Sequence, residues 1–288
     1  MKHTPQLLRD TSAGLLFAML WSSASVTTKI GIVSIEPLVL AFSRYIIAGI
    51  LMLGFVFITT QNGLPNRKDW KPIFVLGLLN ITFYSACFVL AIQQVAASVG
   101  SLSMALNPLF ITVFAALWHK RPVQTWHWVG LILGILGIIT AVFPFLLTGY
   151  ATPTGLVLLL VSRILYSVAA VYYGQLKFQT SPMLINTWQT LLGGLCLVPF
   201  VFWFHTRPNH FTPQVWGALA WLIVPVAIVA TRLWLYLLKI DVVQASFWQF
   251  VCPIFGILYA YIFLSEPLSV YTLVGGLMVC GSIYFSRK

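Results

Sequence analysis

Three arginines, Arg44, Arg163 and Arg232, stand inside otherwise apolar runs, and their guanidinium groups are the strongest recognition chemistry the chain offers. Each costs about 2.5 to 3.5 kcal/mol at a bilayer centre on insertion scales. A cost of that size is rarely carried without a partner. No carboxylate lies deep in any apolar run, because Asp10, Glu36, Asp69, Asp241 and Glu266 all fall at run ends or in loops. The arginines must therefore bond helix carbonyls, face water or meet an anionic ligand. Arg163 is the best placed for a ligand, in mid-run with Tyr166 one turn on. Arg44 and Arg232 lie closer to opposite ends of their runs and are read as structural, reaching an interface or tying helices together.

A planar fork of donors suits a carboxylate or a phosphate. Around it, helical spacing can gather Trp21 with Ser25, Asn80 with Tyr84, Ser103 with Asn107, and Trp248 with Cys252, with Gln249 beside that last pair. An aromatic and amide wall around one cation would bind an amphipathic metabolite with a negative group, such as an amino acid. The plainer use of each aromatic is packing against lipid or a neighbouring helix. Trp126, Trp128, Trp216 and Trp221 fit an interfacial belt. The histidines, His3, His119, His127, His205 and His210, fall outside the deep runs, so the usual groups of an intramembrane proton relay are absent from the sequence. Cys87, Cys196, Cys252 and Cys280 occupy separate runs and read as small core residues. Nothing in these spacings calls for a metal or a cofactor.

The elements that must position these groups are membrane helices. Only 7% of the 288 residues are charged while 60% are hydrophobic, and the mean hydropathy is +0.94. A water-facing surface cannot be built from that composition. The net charge of +11 is scattered through short loops with no concentrated basic stripe, which argues for the anionic inner leaflet as partner and against nucleic acid.

Proline, glycine and charge clusters divide the chain into ten spans: Thr11 to Val33, Pro37 to Thr59, Pro72 to Ile92, Ala97 to Trp118, Trp126 to Phe145, Thr154 to Gly174, Pro182 to Phe204, Pro213 to Leu237, Gln244 to Leu264, and Val270 to Phe285. Lys2 and Arg9 before the first run, with Ser22 to Ser25 within it, partly imitate a signal peptide; apolar character resumes afterwards, so the run is read as a retained first helix. With the N-terminus inside, the inner segments collect Lys2, Arg9, Arg67, Lys68, Lys71, Lys120, Arg121, Lys177, Lys239, Arg287 and Lys288, against Arg207 alone outside. That bias predicts both termini in the cytoplasm of a multi-pass protein of the cell (inner) membrane.

A shift of 145 residues superposes Pro37 on Pro182, Gly49 on Gly194, Phe55-Val56-Phe57 on Phe200-Val201-Phe202, Ser101 on Ser246, Pro108 on Pro253, Pro122 on Pro267, and Val129-Gly130 on Val274-Gly275. Prolines and glycines at one register mark two related halves, residues 1-145 and 150-288, of five helices each. An odd number of crossings inverts the second half relative to the first. The fold class expected is all-α, ten transmembrane helices as two inverted five-helix repeats, an architecture that opens to either side of a midplane site in turn. Pro108 and Pro253 are expected as kinks inside gating helices, each freeing a carbonyl about one turn earlier. Pro225 is the mate of Asn80, so the symmetry is expected to break there. Small residues from Gly130 to Gly137 and from Gly275 to Gly281 read as close-packing faces that would serve a homodimer equally well.

On these residues the chain resembles the drug/metabolite transporter superfamily, in its EamA branch of ten-helix carriers built from two EamA repeats. The resemblance runs from Gly14 to Phe285 and rests on Pro37 to Arg44, Ala97-Ser98 through Asn107-Pro108-Leu109-Phe110, Ala245-Ser246 through Cys252-Pro253-Ile254-Phe255, Leu264-Ser265-Glu266-Pro267-Leu268-Ser269, and Gly275-Gly276. The first repeat departs from the family's L-G-E pattern, with Trp118-His119-Lys120-Arg121-Pro122 in its place. The resemblance implies that Glu266 is an interfacial cap. Small multidrug antiporters of the wider superfamily carry a first-helix glutamate where this chain has Trp21, Ser22, Ser25 and Thr28, which disfavours cation/proton exchange of that kind. The expected function is secondary transport, exporting a small amphipathic, amino-acid-like or otherwise anionic or zwitterionic metabolite by alternating access, in contact with membrane lipid. A lipid-carrier flippase of the same fold is the alternative, and a polytopic membrane enzyme is a weaker one, since its acids and histidines are not clustered.

Overall fold

The computed structural model describes residues 4–59, 63–120, 125–240, 245 and 248–286, without the side chains of 4–8, 127, 131, 280 and 283–286. Lys2, His3, Arg121, Pro122, Asp241, Ser246, Arg287 and Lys288 lie outside the described residues. The protein is all-helical there apart from a single Val95–Ala151 bridge between loops. Ten helical segments follow one another: α1 Thr4–Gly31, α2 Pro37–Thr59, α3 Arg67–Gln94, α4 Ala97–Trp118, α5 Thr125–Leu147, α6 Pro153–Gln175, α7 Pro182–Trp203, α8 Pro213–Ile240, α9 Trp248–Leu264 and α10 Val270–Ser286. Seven of these, α2 to α8, are long and apolar enough to cross a membrane by length and composition. α1 is more polar because it carries Ser22, Ser23, Ser25 and Thr28, and these are buried in the protein.

The starts are written locally. Thr152, Ser181 and Thr212 each accept a hydrogen bond from the amide three residues on, and Pro153, Pro182 and Pro213 follow them where no amide is needed. These caps fix where α6, α7 and α8 begin.

The two halves share their irregularities at the 145-residue shift. α3 contains a π-turn at Leu78–Phe83 and α8 one at Leu222–Ala230. α4 and α9 contain 3₁₀ turns at Ser103–Ala105 and Trp248–Phe250. α4 and α9 are each followed by a left-handed non-glycine residue, Lys120 at φ 52° and Ser265 at φ 53°. The expected break of symmetry at Asn80 and Pro225 is therefore corrected at the backbone level. Pro225 removes an amide from the eighth helix, yet the third helix forms the same wide turn without proline, so the bulge belongs to the architecture. The expected mid-helix kinks at Pro108 and Pro253 are corrected as well. Each proline sits in the first turn of the helical piece that follows the 3₁₀ break, where a missing amide costs nothing.

Helix contacts obey the same two-fold relation: α1 packs on α9 as α6 packs on α4, and α8 packs on α1 as α3 packs on α6. α2 pairs with its own mate α7, and α5 with α10. Gly137 and Gly275 make the last pairing close, since a Cβ at either would fall 2.8 Å or 2.3 Å from the other's carbonyl oxygen. Gly137 and Gly275 of the two small-residue faces thus serve close packing inside one chain, while Gly276 has nothing within 4 Å of its Cβ position.

Inversion is visible in two loop clasps on opposite faces. Glu36, between α1 and α2, accepts hydrogen bonds from the Arg207 amide at 2.9 Å, the Thr206 amide at 2.5 Å and hydroxyl at 3.0 Å, and His205 Nδ1 at 2.7 Å, all between α7 and α8. Asp69, at the start of α3, accepts from the Gln179 and Thr180 amides at 3.0 and 2.8 Å and the Thr180 hydroxyl at 2.6 Å, between α6 and α7. The loop after the first helix of one repeat therefore lies level with the loop after the second helix of the other. Only an inverted pair does this.

Burial alone would raise the Glu36 carboxyl, but the amides of Thr206 and Arg207, with His205 and the Thr206 hydroxyl, hold it down at about 2. A carboxyl below its ordinary 4.5 stabilises the fold fully above that value and loses the contribution as pH falls toward 2. Glu36→Gln is expected to lower the thermal midpoint in detergent by about 5 °C at neutral pH. The difference from the unsubstituted protein should shrink as the pH of the scan is lowered from 5 toward about 2. A midpoint unchanged at neutral pH would remove Glu36 from the clasp.

Candidate functional site

Arg163 lies eleventh in the 23-residue α6, about 15 Å from either end. Its residue is 0% exposed, and none of its three guanidinium nitrogens has a hydrogen-bond partner. Among the described residues no helix carbonyl bonds it. Two rings serve instead: the guanidinium carbon stands 5.0 Å from the Phe88 ring centroid and 5.6 Å from that of Tyr84, both on α3. Its polar neighbours are the Tyr84 and Tyr166 hydroxyls and the Cys252 thiol, of which the Tyr84 hydroxyl comes closest to pairing with it.

Around this cation a chain of rings closes across both repeats. Tyr84 meets Tyr166 at 5.4 Å, Tyr166 meets Trp21 and Trp234 at 5.7 Å each, and Phe17 stacks on Trp234 at 5.1 Å and Trp21 at 5.7 Å. Trp21 and Tyr166 are mates under the 145-residue shift, so their contact puts the cluster on the pseudo-two-fold axis. Gln249, on α9, donates to the Tyr166 hydroxyl at 3.2 Å and accepts a short hydrogen bond from the Asn107 amide on α4. The 3₁₀ breaks explain this meeting: they place Asn107 and Cys252, also mates, at the first turns of two helices that begin inside the protein.

Unsatisfied polar atoms gather here. Besides Arg163 they are Trp21 Nε1, Ser25 Oγ and Asn107 Oδ1, each buried without a partner. Native interiors hold few such atoms, and each costs about 1 to 3 kcal/mol. Arg163, Trp21 and Asn107 belong to the ring and amide cluster, which makes it the candidate binding site. Ser25 continues the Trp21 face of α1 toward Lys29, four residues on, which lines a cavity of about 610 Å³ on the Glu36 face together with Gln93, Arg207 and Gln214. That cavity gives the Glu36 face a polar vestibule. Lys29 Nζ is itself anchored by the Ile92 and Val95 carbonyls at 2.8 and 2.7 Å.

Of the ten residues read from the sequence as substrate-binding, Trp21, Tyr84, Asn107, Arg163, Tyr166 and Gln249 come together, and Ser25 lies one turn along α1. Three do not join them. Ser103 turns its hydroxyl to the Gly100 carbonyl at 2.6 Å and borders an aliphatic cavity beside α5 and α6. Trp248 packs against α1 so tightly that a Cβ on Gly14 would lie 2.0 Å from its ring. Asn80 stays half-buried in the π-turn of α3 and makes none of the cluster's hydrogen bonds.

The structural residues divide as well. Arg44 is buried with its guanidinium 4.7 Å from the Tyr45 ring, within electrostatic range of Tyr84, so two cations flank that tyrosine. Arg232 is exposed and ties nothing together. Glu266 accepts from the Ala97 and Ser98 amides at 2.7 and 3.0 Å and the Ser98 hydroxyl at 2.5 Å, capping α4. Its mate is Arg121, outside the described residues.

Sequence reasoning missed Phe17, Phe88 and Trp234, which are ordinary apolar residues until the fold closes them around a charge. It also missed Asn186 and Gln189 of α7, both buried, with Gln189 Oε1 unpartnered. Gln189 carried a signal: it is the mate of Arg44.

Comparison with known proteins gives a consistent result. The model of the EamA-like transporter family matches residues 11–143 and again 153–287. An uncharacterized transporter of Archaeoglobus fulgidus is 25% identical over 94% of both chains. The uncharacterized transporter YvbV of Bacillus subtilis is 25% identical over 98% of this chain and 92% of its own. The uncharacterized inner membrane transporter YedA of Escherichia coli is 26% identical over 85% and 80% respectively. A crystal structure of another protein superposes over 96% of both chains with a TM-score of 0.72 at 18% identity, which shows the shared fold.

An unpaired buried cation is destabilising, and removing it relieves the fold. Arg163→Met is therefore expected to raise the thermal midpoint of the purified protein by about 3 °C. A fall in midpoint would mean that the guanidinium is part of the packing.

Proposed function

Because the chain belongs to the EamA-like transporter family, we propose that the Arg163 cage is the central substrate site of a secondary transporter whose cargo is a small amphipathic metabolite with a carboxylate or phosphate. Membership makes the protein a multi-pass membrane transporter; the cargo, its direction and the mechanism are the present reading. The observation that carries it is the fully buried guanidinium with three unpartnered nitrogens, enclosed by rings on the axis between the repeats. A carboxylate accepting two of those donors would supply the missing charge, and the rings would cover the apolar remainder of an amino-acid-like solute.

Alternating access follows from the inversion. Each clasp joins one repeat to the other on one face, Glu36 to the α7–α8 loop and Asp69 to the α6–α7 loop. Loosening one while the other holds would open one side of the cage. The broken α4 and α9 would move with the gates, since Asn107 and Gln249 bond across the axis next to the substrate. Basic residues concentrated on the Asp69 face favour a cytoplasmic position for that face and for both termini, and cargo would then leave toward the Glu36 face. Among the described residues the cage holds no acid or histidine, so coupling through the ionisation of the solute or through exchange is favoured over a protein-borne proton relay.

The test is counterflow of labelled amino acids and small organic anions into liposomes containing the purified protein. Saturable uptake is expected for at least one anionic or zwitterionic solute. Arg163→Ala should insert normally and transport about 100-fold more slowly, the equivalent of two lost charge-assisted hydrogen bonds. Unaltered transport by that variant would take Arg163 out of the site, and no saturable uptake of any solute in the panel would count against the cargo assigned.

A further inference from the structure

Arg232 stands two residues from Trp234 on α8, and two residues along a helix is a turn of about 200°, so the arginine faces away from the cage. It lies eight residues, about 12 Å, from the end of α8 at Ile240, within the span. No hydrogen bond or ring contact engages its guanidinium among the described residues. It borders a cavity of about 280 Å³ between α2, α7 and α8, whose other walls are Leu51, Met52, Phe55, Met183, Asn186 and Ile228. Leu51 and Phe55, eight and four residues from the end of α2 at Thr59, are 51% and 52% exposed, and exposure on a membrane span is exposure to lipid. This opening faces the bilayer.

We infer that this cavity holds an anionic phospholipid of the leaflet on the Asp69 face, its phosphate on Arg232 and its acyl chain along Leu51, Phe55 and Ile228. Three observations support that occupant. An unpaired cation at the lipid boundary is expensive, and with Met183 in the first turn of α7 and Phe55 near the end of α2 the opening lies toward the interface on the Asp69 side, where phospholipid phosphates supply the counter-charge. The walls other than Arg232 and Asn186 are apolar, which suits a chain and not a soluble ion. Asn186 is buried and its Oδ1 accepts from Gln189 at 3.2 Å and Thr190 at 3.5 Å, yet its Nδ2 makes only two long contacts, 3.4 Å to Met52 Sδ and 3.5 Å to the Ala227 carbonyl, and so keeps donor capacity for an ester oxygen. The Ala227 carbonyl belongs to the π-turn of α8, so a lipid here would touch the element whose other side holds Trp234. Arg232 thus acts at the membrane side of the protein, separately from substrate binding.

Thermal unfolding of the delipidated full chain in detergent tests this directly, with dioleoyl phosphatidylglycerol, dioleoyl phosphatidylcholine or glycerol phosphate added. Phosphatidylglycerol is expected to raise the midpoint by about 3 °C, and the other two by less than a third of that. Arg232→Gln should lose the selective shift and Arg232→Lys should keep most of it. Native mass spectrometry gives a second reading: bound phosphatidylglycerol should fall about fivefold in Arg232→Gln, in line with one lost charge-assisted contact. If Arg232→Gln does not fold, Phe55→Ala takes its place, and its phosphatidylglycerol occupancy should fall while Arg232 remains. Equal shifts with phosphatidylcholine, a shift reproduced by glycerol phosphate, or phosphatidylglycerol binding undiminished in every variant would overturn the assignment.

Discussion

Arg163 carries a charge into the centre of a hydrocarbon-thick protein, where no carboxylate among the described residues receives it. By insertion scales the position costs about 2.5 to 3.5 kcal/mol, and much more on an isolated helix. Two aromatic faces offset much of the insertion-scale cost, since a desolvated cation–π contact contributes about 2 kcal/mol. The remainder has to be carried by packing elsewhere in the chain. Close backbone approach between α5 and α10, the α2–α7 pairing and the two loop clasps are where the fold supplies it. A folded state that tolerates an orphan cation gains affinity for whatever anion completes it.

The pseudo-symmetry explains why the site is at the middle and why it is built from broken helices. A residue and its mate can touch only on the axis that relates the halves, and Trp21 with Tyr166 do so beside Arg163. The α4 and α9 breaks fall at the same register and bring two helix starts to that axis, together with Asn107 and Gln249. The chemistry is less symmetric than the backbone. Arg163 has Ala18 as its mate, Arg44 has Gln189 and Glu266 has Arg121, so each cation of the interior belongs to one repeat. A carrier must bind one cargo in one orientation from both sides, and a symmetric scaffold with an asymmetric lining meets that demand.

Much of the fold was legible because its signals are local or periodic. Proline and glycine at a constant shift announced the repeat, and apolar runs between charged loops gave the ten segments nearly to the residue at Pro37, Pro182 and Val270. Arg163 was legible because a charge in an apolar run has few explanations. The ring partners were not, since Phe88 and Trp234 differ in nothing from lipid-facing aromatics until tertiary contact selects them. The roles of Pro108 and Pro253 were misread for a related reason. A proline in an apolar run looks the same whether it bends a helix or begins one, and the 3₁₀ turn before it depends on packing between α4 and α9. Trp248 and Ser103 sit at helical spacing from true cage residues, but the unwound turn rotates them out of line.

If one buried compartment is reached from each face in turn, Ser25 reports on it, because its hydroxyl is buried and unpartnered one turn along α1 from Trp21 toward Lys29. With Cys87, Cys196, Cys252 and Cys280 replaced, a single Ser25→Cys in oriented membrane vesicles can be challenged with an impermeant maleimide from either side. The account predicts labelling from both faces, slowed from both by a transported solute. Labelling from one face only, at a rate that no solute changes, would contradict it.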